Sequence, residues 1–393
     1  MKLYSQDQFL NIFVGTNSPT FAKFMQNARV MLGSSLLVPL KTYAKERQIL
    51  EKDLRQLYEH ILNRNEYLAR FWVKSLRPIE PITITEKPMT KIALNNDTLP
   101  NYKNLIRNIH LLDILQNTKS GLENLPTFMD VLTRLYLHEI IDYKILTPSA
   151  RHYMNEGRIG SVFSSFYFRA SIMNPYLVFS ICQKMLCDKV TVNKNETGMR
   201  VFSPTLGWTS YAYGFLECPM VGEYVATDVI EDVCKKTGDF CKQNYPLKKS
   251  TIFCQPSENL FKNPAFMAKY HAYFDVVFFS PPYYELELYP GAKQSTNAYK
   301  TYEDWLIKYW AATVQLCNHI LKKGGRMCYI LSSYGCSGSA RCADNDFDIL
   351  KDMNDVCGQY FKKVGAYKMK NKNVHVTAES HRDTGERIML FVK

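Results

Sequence analysis

Residues 274–283 read Phe-Asp-Val-Val-Phe-Phe-Ser-Pro-Pro-Tyr, and this stretch decides the fold. Its apolar run, Val276 to Phe279, predicts a short buried strand. The strand stops at Ser280, because the two prolines that follow have no N–H to donate to a sheet. Ser280 to Tyr283 should therefore form a stiff loop at the carboxyl end of a strand, where open α/β sheets bind ligands. A hydroxyl, a proline carbonyl and an aromatic ring suit a flat heterocycle with an exocyclic amine.

Three more strand candidates precede this one, and each ends in a polar loop. Arg200–Ser203 runs into Pro204 and Gly207, Glu223–Asp228 ends in an acid, and Thr251–Cys254 is followed by Gln255 and Glu258. A strand, a glycine turn, a helix and a second strand ending in Asp is the order of a Rossmann-like nucleoside site. The glycine lets the backbone approach the ligand, and the acid accepts hydrogen bonds from ribose hydroxyls. The third strand end is expected to face the adenine.

The remaining C-terminal sequence predicts how the sheet is completed. Glu303–Ile320 has helical periodicity, and a Gly-Gly turn leads into a fifth strand at Arg326–Leu331. A helix is predicted at Phe347–Phe361. Two terminal strands are predicted at Gly365–Asn371 and Arg387–Val392. The fold class is therefore α/β.

The ordered motifs resemble those of S-adenosylmethionine-dependent DNA amino-methyltransferases. Ser280-Pro-Pro-Tyr283 is similar to their motif IV, and Val201–Gly214 is similar to a motif I variant of phage and large-DNA-virus enzymes. The resemblance covers about Gly160 to Lys393. It implies a Rossmann-like class I methyltransferase domain with a mostly parallel seven-stranded sheet, with the final antiparallel pair included.

The resemblance also implies an activity and its residues. The methyl group of S-adenosylmethionine would pass to cytosine N4 or adenine N6, in DNA rather than RNA, as in restriction–modification systems. It implies a catalytic group formed by Ser280, Pro281, Pro282 and Tyr283. It implies cofactor contacts from Ser203, Pro204, Gly207, Asp228, Gln255 and Glu258. For Glu258, an exposed and solvated side chain is the alternative interpretation.

The motif I segment departs from the variant that it resembles. Ser203 stands in place of Asp, and Thr209, Ser210 and Tyr211 stand in place of two glycines and an arginine. Thr209 adds a Cβ where the backbone should pass close to the cofactor, and a non-glycine residue tolerates positive φ poorly. Weak cofactor affinity is expected. Two alternatives follow: a catalytically degenerate nucleic-acid-binding scaffold, and a methyltransferase acting on RNA or a protein amide, where Asn is usual at position 280.

Composition indicates a polyanionic partner and the compartment. The formal net charge is +12 at pH 7, which draws nucleic acid. Eleven cysteines without a Cys-x-x-Cys pair predict free thiols and no metal site. With no apolar run long enough to span a membrane and no signal peptide, we expect no membrane partner. The location is expected to be intracellular, in the cytoplasm, nucleoid or nucleus, or in the host cell of a virus.

The sequence predicts two domains: residues 1–150, mainly helical, and residues 160–393, the methyltransferase domain. Thr42–Ser75 reads as one long helix, with the leucines and isoleucine from Leu50 to Leu62 at helical spacing. Its basic residues form either a solvated face or a phosphate-contacting face. Tyr102–Asp142 is also predicted to be helical. This first domain is expected to serve target recognition, partner binding or dimerisation.

Overall fold

The structure is a computed structural model of the chain, and it describes most of the 393 residues. The described residues are 2–33, 35–80, 82–84, 94–95, 101–117, 119–120, 127–155, 158–166, 170, 172–186, 198–284, 287–289, 293–332, 347–372 and 381–393. They group into two compact units. One comprises Lys2–Ile79 and Lys103–Ser171, and the other comprises Glu80–Tyr102 and Ile172–Lys393. The sequence-based domains 1–150 and 160–393 stay a prediction.

The strands follow one another along the chain in short and long segments. They are β1 Arg29–Leu32, β2 Leu36–Pro39, β3 Leu94–Asn95, β4 Lys119–Ser120, β5 Ile140–Asp142, β6 Met199–Ser203, β7 Val221–Asp228, β8 Lys249–Cys254, β9 Phe274–Phe279, β10 Glu287–Leu288, β11 Leu321–Ser332, β12 Lys362–Lys372 and β13 His381–Val392.

The α-helices are mostly short. They are α1 Gln6–Asn11, α2 Phe21–Asn27, α3 Leu40–Glu46, α4 Glu51–Leu62, α5 Arg64–Ser75, α6 Asn101–Ile109, α7 Phe128–His138, α8 Pro148–Asn155, α9 Ile159–Phe166, α10 Pro175–Ile181, α11 Ser210–Glu217, α12 Glu231–Asn244, α13 Ser257–Phe261, α14 Pro264–Lys269, α15 Ser295–Ala298, α16 Tyr302–Asp304, α17 Ala312–Ile320 and α18 Ile349–Gly358. Asp113–Asn117, Cys182–Leu186 and Trp305–Ala311 are π-helical, and Tyr143–Leu146 is a 3₁₀ turn.

The large sheet of the second unit has the order β3-β12-β13-β11-β9-β6-β7-β8. Only β13 runs antiparallel to its neighbours β11 and β12. Without β3, this is the strand order of the class I methyltransferase fold, so the predicted fold class is confirmed. The short strand β3, which pairs with β12 in parallel, was not predicted.

The centre of this sheet is β9, where all six residues are buried. Its neighbours are β6 and β11, so strand order along the chain reverses between β6 and β9. In open α/β sheets, the crevice beyond the carboxyl ends at such a reversal holds the ligand. Ser203 ends β6 and Phe279 ends β9, which places both predicted motifs at this crevice.

The first unit differs from its sequence prediction in two places. The single helix predicted at Thr42–Ser75 is wrong: α3, α4 and α5 replace it. Gln48 adopts φ 52°, outside the helical range, and Asn63, with φ −92° and ψ 25°, separates α4 from α5. As a result Leu54, Leu57 and Ile61 are buried, whereas Leu50 and Leu62 are exposed.

The second difference is a small sheet in the predicted helical region Tyr102–Asp142. Helix α7 ends at Glu139, whose φ of 52° turns the chain into the extended strand β5. Strand β5 pairs with β1 in parallel, and β1 pairs with β2, giving the order β2-β1-β5. The Glu139 carboxylate accepts from the backbone N–H and the hydroxyl of Ser18, at 2.6 and 2.7 Å. These partners lie 121 residues away, so local periodicity could not reveal them.

The amino end of β9 is tied to its neighbours by Asp275. This buried carboxylate accepts from the Arg200 backbone N–H at 2.8 Å and pairs with the Lys322 ammonium at 2.7 Å. We expect Asp275→Ala to lower the free energy of unfolding by about 3 kcal/mol, because the half-buried Lys322 ammonium and the Arg200 N–H both lose their acceptor. Asp275→Asn keeps an acceptor for Arg200 and should lose about 1–2 kcal/mol.

Urea unfolding of the full chain, followed by tryptophan fluorescence, measures both variants, since Trp305 and Trp310 are fully buried in the same unit. Equal midpoints for the wild type and Asp275→Ala would show that this carboxylate does not hold the strands together.

Candidate functional site

The loop after β6 carries an unusual run of left-handed residues. Gly207, Trp208 and Thr209 have φ values of 51°, 56° and 71°. For Thr209 this conformation is strained, since its branched Cβ crowds the backbone. The loop thus demands positive φ of a threonine where the resembled motif has glycine. Its side chain turns inward, however: it is 1% exposed, and its hydroxyl lies 2.8 Å from that of Thr237 on α12.

Asp228, at the end of β7, holds this loop in place. Its Oδ2 accepts from the Leu206 N–H at 3.1 Å, and its Oδ1 accepts from the N–H groups of Val229 and Ile230 at 2.8 and 3.2 Å. Burial raises the pKa of the Asp228 carboxyl, although these three bonds oppose the shift. A carboxylate offers about four lone-pair sites, so the backbone leaves one acceptor site of this half-buried residue for a ligand.

The two predicted cofactor residues at the end of β6 lie inside the protein. Ser203 is fully buried, and Pro204 is also buried. Gly207 is half-buried, and a tyrosine ring fills the space into which a side chain would extend. A Cβ at Gly207 would lie 2.2 Å from Cζ of Tyr211. Of this loop, then, the structure presents backbone rather than the side chains that the motif suggested.

The end of β8 contributes a second carboxylate. Gln255 is half-buried and its carbonyl accepts from the Thr227 hydroxyl. Glu258 lies in the first turn of α13 with 3% exposure, so the alternative of a solvated glutamate is wrong. Its Oε1 accepts from the Tyr299 hydroxyl at 3.3 Å. Burial raises the pKa of Glu258, and burial followed by the nearby carboxylate raises the pKa of Tyr299 to about 12, which keeps Tyr299 a donor.

Ser280 is fixed by three separate hydrogen bonds. Its backbone N–H donates to the Tyr211 hydroxyl at 3.1 Å, and its hydroxyl donates to the Ile330 carbonyl at 3.0 Å. Its own carbonyl accepts from the Thr205 hydroxyl at 3.3 Å. Because the Ser280 hydroxyl donates its hydrogen to the Ile330 carbonyl, its oxygen can only accept further hydrogen bonds. Pro281 is buried and Pro282 is half-buried.

Two tyrosines follow the prolines and differ in their surroundings. Tyr283 is 9% exposed, and its hydroxyl accepts from the Ser332 N–H at 3.0 Å. Tyr284 has φ 50°, and its ring packs 5.6 Å from Tyr302 and 5.7 Å from Trp305. Both rings are therefore buried, Tyr284 in an aromatic cluster and Tyr283 with its hydroxyl bonded to the carboxyl end of β11.

Sequence reasoning missed two contacts that join the motifs. Tyr211 links the loop of β6 to Ser280, and Trp208 lies edge-on to Tyr289 at 5.6 Å between ring centroids. The one signal for the first was a tyrosine where the resembled motif has arginine. Residues 285–286 and 290–292 of the segment after motif IV lie outside the described residues.

The described residues also limit other kinds of site. Among them, no three His, Cys, Asp or Glu side chains come together to hold a metal ion. Across the same residues, no helix has the length and apolarity needed to traverse a bilayer.

The chain matches no protein-family model and no curated protein sequence. Solved structures that resemble it include TrmN from Thermus thermophilus, with 15% identity, a TM-score of 0.33, and 56% of this chain aligned to 48% of that one. The N-methyltransferase NodS from Bradyrhizobium japonicum aligns with 10% identity and TM-score 0.29, over 50% of this chain and 85% of NodS. A 1,6-didemethyltoxoflavin-N1-methyltransferase from Burkholderia thailandensis, solved with S-adenosylhomocysteine, aligns with 14% identity and a TM-score of 0.30. The alignment covers 50% of this chain and 71% of that one. The chain spans about half the length of TrmN, and likenesses of this size say nothing about reaction or substrate.

The raised pKa of Glu258 gives a stability prediction with a definite sign. A carboxyl whose pKa is raised on folding binds its proton more tightly in the folded state. Stability should therefore fall as the pH rises from the ordinary pKa of glutamate through the raised folded value. Glu258→Gln should remove this decline and unfold no more easily than the wild type at pH 7.

Thermal unfolding of both proteins between pH 4 and pH 7 tests this, with Glu303→Gln, which changes an exposed carboxylate of the same unit, as the control. A Glu258→Gln variant that keeps the decline would place its cause elsewhere.

Proposed function

We propose that the protein transfers a methyl group from S-adenosylmethionine to the exocyclic amine of a nucleic-acid base, cytosine N4 or adenine N6, in DNA rather than RNA. One observation carries the proposal. The Ser280 hydroxyl donates its hydrogen to the Ile330 carbonyl, so it can act toward a substrate as an acceptor. It lies beside the Pro281 carbonyl in sequence, at the reversal of strand order.

The chemistry of an aromatic amine requires such acceptors. Its lone pair is delocalised into the ring, so the amine is a poor nucleophile. Two acceptors placed against its two protons draw the nitrogen toward tetrahedral geometry and free the lone pair. Ser280 Oγ and the Pro281 carbonyl take this role, and Tyr283 holds the base by its ring. Orientation and electrostatics supply most of the rate enhancement.

The residues present fit the cofactor. S-adenosylmethionine, when bound, supplies an electrophilic methyl group: a nitrogen–carbon bond forms, the sulfur–carbon bond breaks, and the amine releases a proton to solvent. The acceptor site that Asp228 keeps would take a ribose hydroxyl, and Glu258 and Gln255 stand at the strand end expected to face adenine. Thr209 does not fill this space, because its side chain points to Thr237.

The nucleic-acid partner rests on charge and on the loop chemistry. A net charge of +12 attracts a polyanion, and a duplex substrate would need its target base flipped out of the stack. Three of the basic residues on the N-terminal helices already have partners within their own unit. Arg55 pairs with Glu51, Arg70 pairs with Glu66, and Arg64 donates to backbone carbonyls.

A second candidate is a catalytically degenerate scaffold that binds nucleic acid. It is favoured by the strained φ of Thr209 and by the complete burial of Ser203 where the resembled motif has an acid. Methyl transfer to RNA or to a protein amide is the third possibility, and the transfer experiment below separates all three.

Asp228 should discriminate between cofactors with and without ribose hydroxyls. We expect the wild type to bind S-adenosylhomocysteine about 10–100-fold more tightly than its 2′,3′-dideoxy analogue, the equivalent of a hydrogen bond to a charged group. Asp228→Ala also releases the Leu206 N–H, so its affinity alone is ambiguous. The decisive quantity in titration calorimetry is the ratio of the two affinities, which should approach one in the variant. An unchanged ratio would remove Asp228 from the ribose site.

Ser280→Ala should depress turnover by ~10²–10³-fold while S-adenosylhomocysteine affinity stays within about twofold, since the hydroxyl acts on the amine. Tyr283→Ala should raise the KM for nucleic acid about tenfold, whereas Tyr283→Phe keeps the ring and should not. Ser250→Ala is the matched serine control, because Ser250 lies near the amino end of β8 and the site lies beyond the carboxyl ends of the strands.

The measurement is transfer of labelled methyl from S-adenosylmethionine to DNA, RNA and protein pools. Equal transfer by the wild type and Ser280→Ala would show that motif IV is misassigned. Label found in RNA alone or in protein alone would show that RNA or protein, and not DNA, is the substrate. Nucleic-acid binding without transfer to any pool would support the scaffold.

A further inference from the structure

Tyr211 contacts both motifs of the site from a buried position. It is the second residue of α11 and is 3% exposed. Its ring lies edge-on to Phe278 in β9, with 5.2 Å between centroids and 89° between planes. The ring therefore packs against the last residues of the central strand β9, next to the loop that begins at Ser280.

The face of this ring occupies the space beside Gly207. A Cβ built on Gly207 would lie 2.2 Å from Cζ, 2.4 Å from Cε1 and 2.6 Å from Cε2 of Tyr211. All three distances are below any normal carbon–carbon contact, and an aromatic ring packed in a core cannot yield as a flexible chain end does. Gly207 is thus a glycine because the ring of Tyr211 fills the side-chain position.

The hydroxyl of Tyr211 accepts a hydrogen bond from the backbone N–H at the start of the next loop. Ser280 N–H donates to it at 3.1 Å, and the two residues that follow are prolines, which have no N–H. From the end of β9 to Tyr283, Ser280 is the last backbone donor. This bond fixes the peptide between Phe279 and Ser280, and the bond from the Thr205 hydroxyl to the Ser280 carbonyl fixes the next peptide, which leads into Pro281.

We propose that Tyr211 is a positioning residue: its hydroxyl orients the Ser280–Pro281 segment so that both acceptors meet the target amine, and its ring is the reason for glycine at position 207. The first clause rests on the function proposed above. The second does not, since it concerns a contact between two residues of the loop and helix.

The contact between ring and glycine is tested with a cycle of Gly207→Ala, Tyr211→Ala and the double variant. Folding stability is measured by thermal unfolding of the full chain. Gly207→Ala should be strongly destabilising in the wild-type background. In the Tyr211→Ala background it should lose only the roughly tenfold in the folding equilibrium that a left-handed φ of 51° demands of an alanine. Equal losses in both backgrounds would overturn this clause, because the Cβ would then be excluded by something other than the ring.

The orienting role of the hydroxyl is tested with Tyr211→Phe, which keeps the ring. We expect the kcat of methyl transfer to fall about tenfold, which corresponds to one neutral hydrogen bond. The KM for nucleic acid and the affinity for S-adenosylhomocysteine should stay within about twofold. Tyr213→Phe is the matched control, a buried tyrosine on the same helix whose ring packs on Phe240 instead.

Amide hydrogen exchange at Ser280 gives a readout that does not need activity. Tyr211→Phe should speed exchange of the Ser280 amide and leave those of Phe278 and Phe279 unchanged, because these two lie within the sheet. A wild type without transfer activity would refute the proposed function and leave exchange to decide the positioning. Unchanged exchange at Ser280, or a fall in kcat matched by an equal loss of cofactor affinity, would overturn the positioning role.

Discussion

The hydrogen bonds of Ser280 are the constraint around which the second unit is arranged. A fully buried strand ends directly before this residue, and the two prolines that follow it have no backbone N–H to donate. The N–H, the carbonyl and the hydroxyl must each find a partner on another element, and they do so on α11, on the loop of β6 and on β11. One residue thereby aligns three neighbouring elements at the reversal of strand order.

Strain and burial are concentrated at the same edge. Three consecutive residues of the β6 loop are left-handed, and desolvation raises the pKa values of two carboxyls, those of the half-buried Asp228 and the buried Glu258. Such features reduce folding stability, and in proteins they cluster where a ligand needs a shaped and charged surface. Asp228 shows how the two are linked, since the carboxylate that would meet a ribose also holds the strained loop through Leu206.

The first unit has a different organisation. Its basic residues at Arg55 and Arg70 are engaged with glutamates one helical turn away, which is the ordinary state of a solvated helix face. A buried Glu139–Ser18 contact and the sheet β2-β1-β5 connect segments more than a hundred residues apart. What this unit recognises stays a prediction.

The sequence by itself determined seven of the eight strands of the large sheet and where the central ones end, but not the short strand β3. Buried parallel strands are near-continuous apolar runs, and prolines and acids mark where they stop, so these signals are local. Tertiary structure decided which atoms meet there. Tyr211 and Ser280 are 69 residues apart, and Ser280 and Ile330 are 50 apart, so neither contact has a local signal. The bond between Glu258 and Tyr299, the bond from Leu206 to Asp228 and the end of α7 at Glu139 likewise involve distant partners, because hydrogen bonding and packing act through space and not along the chain.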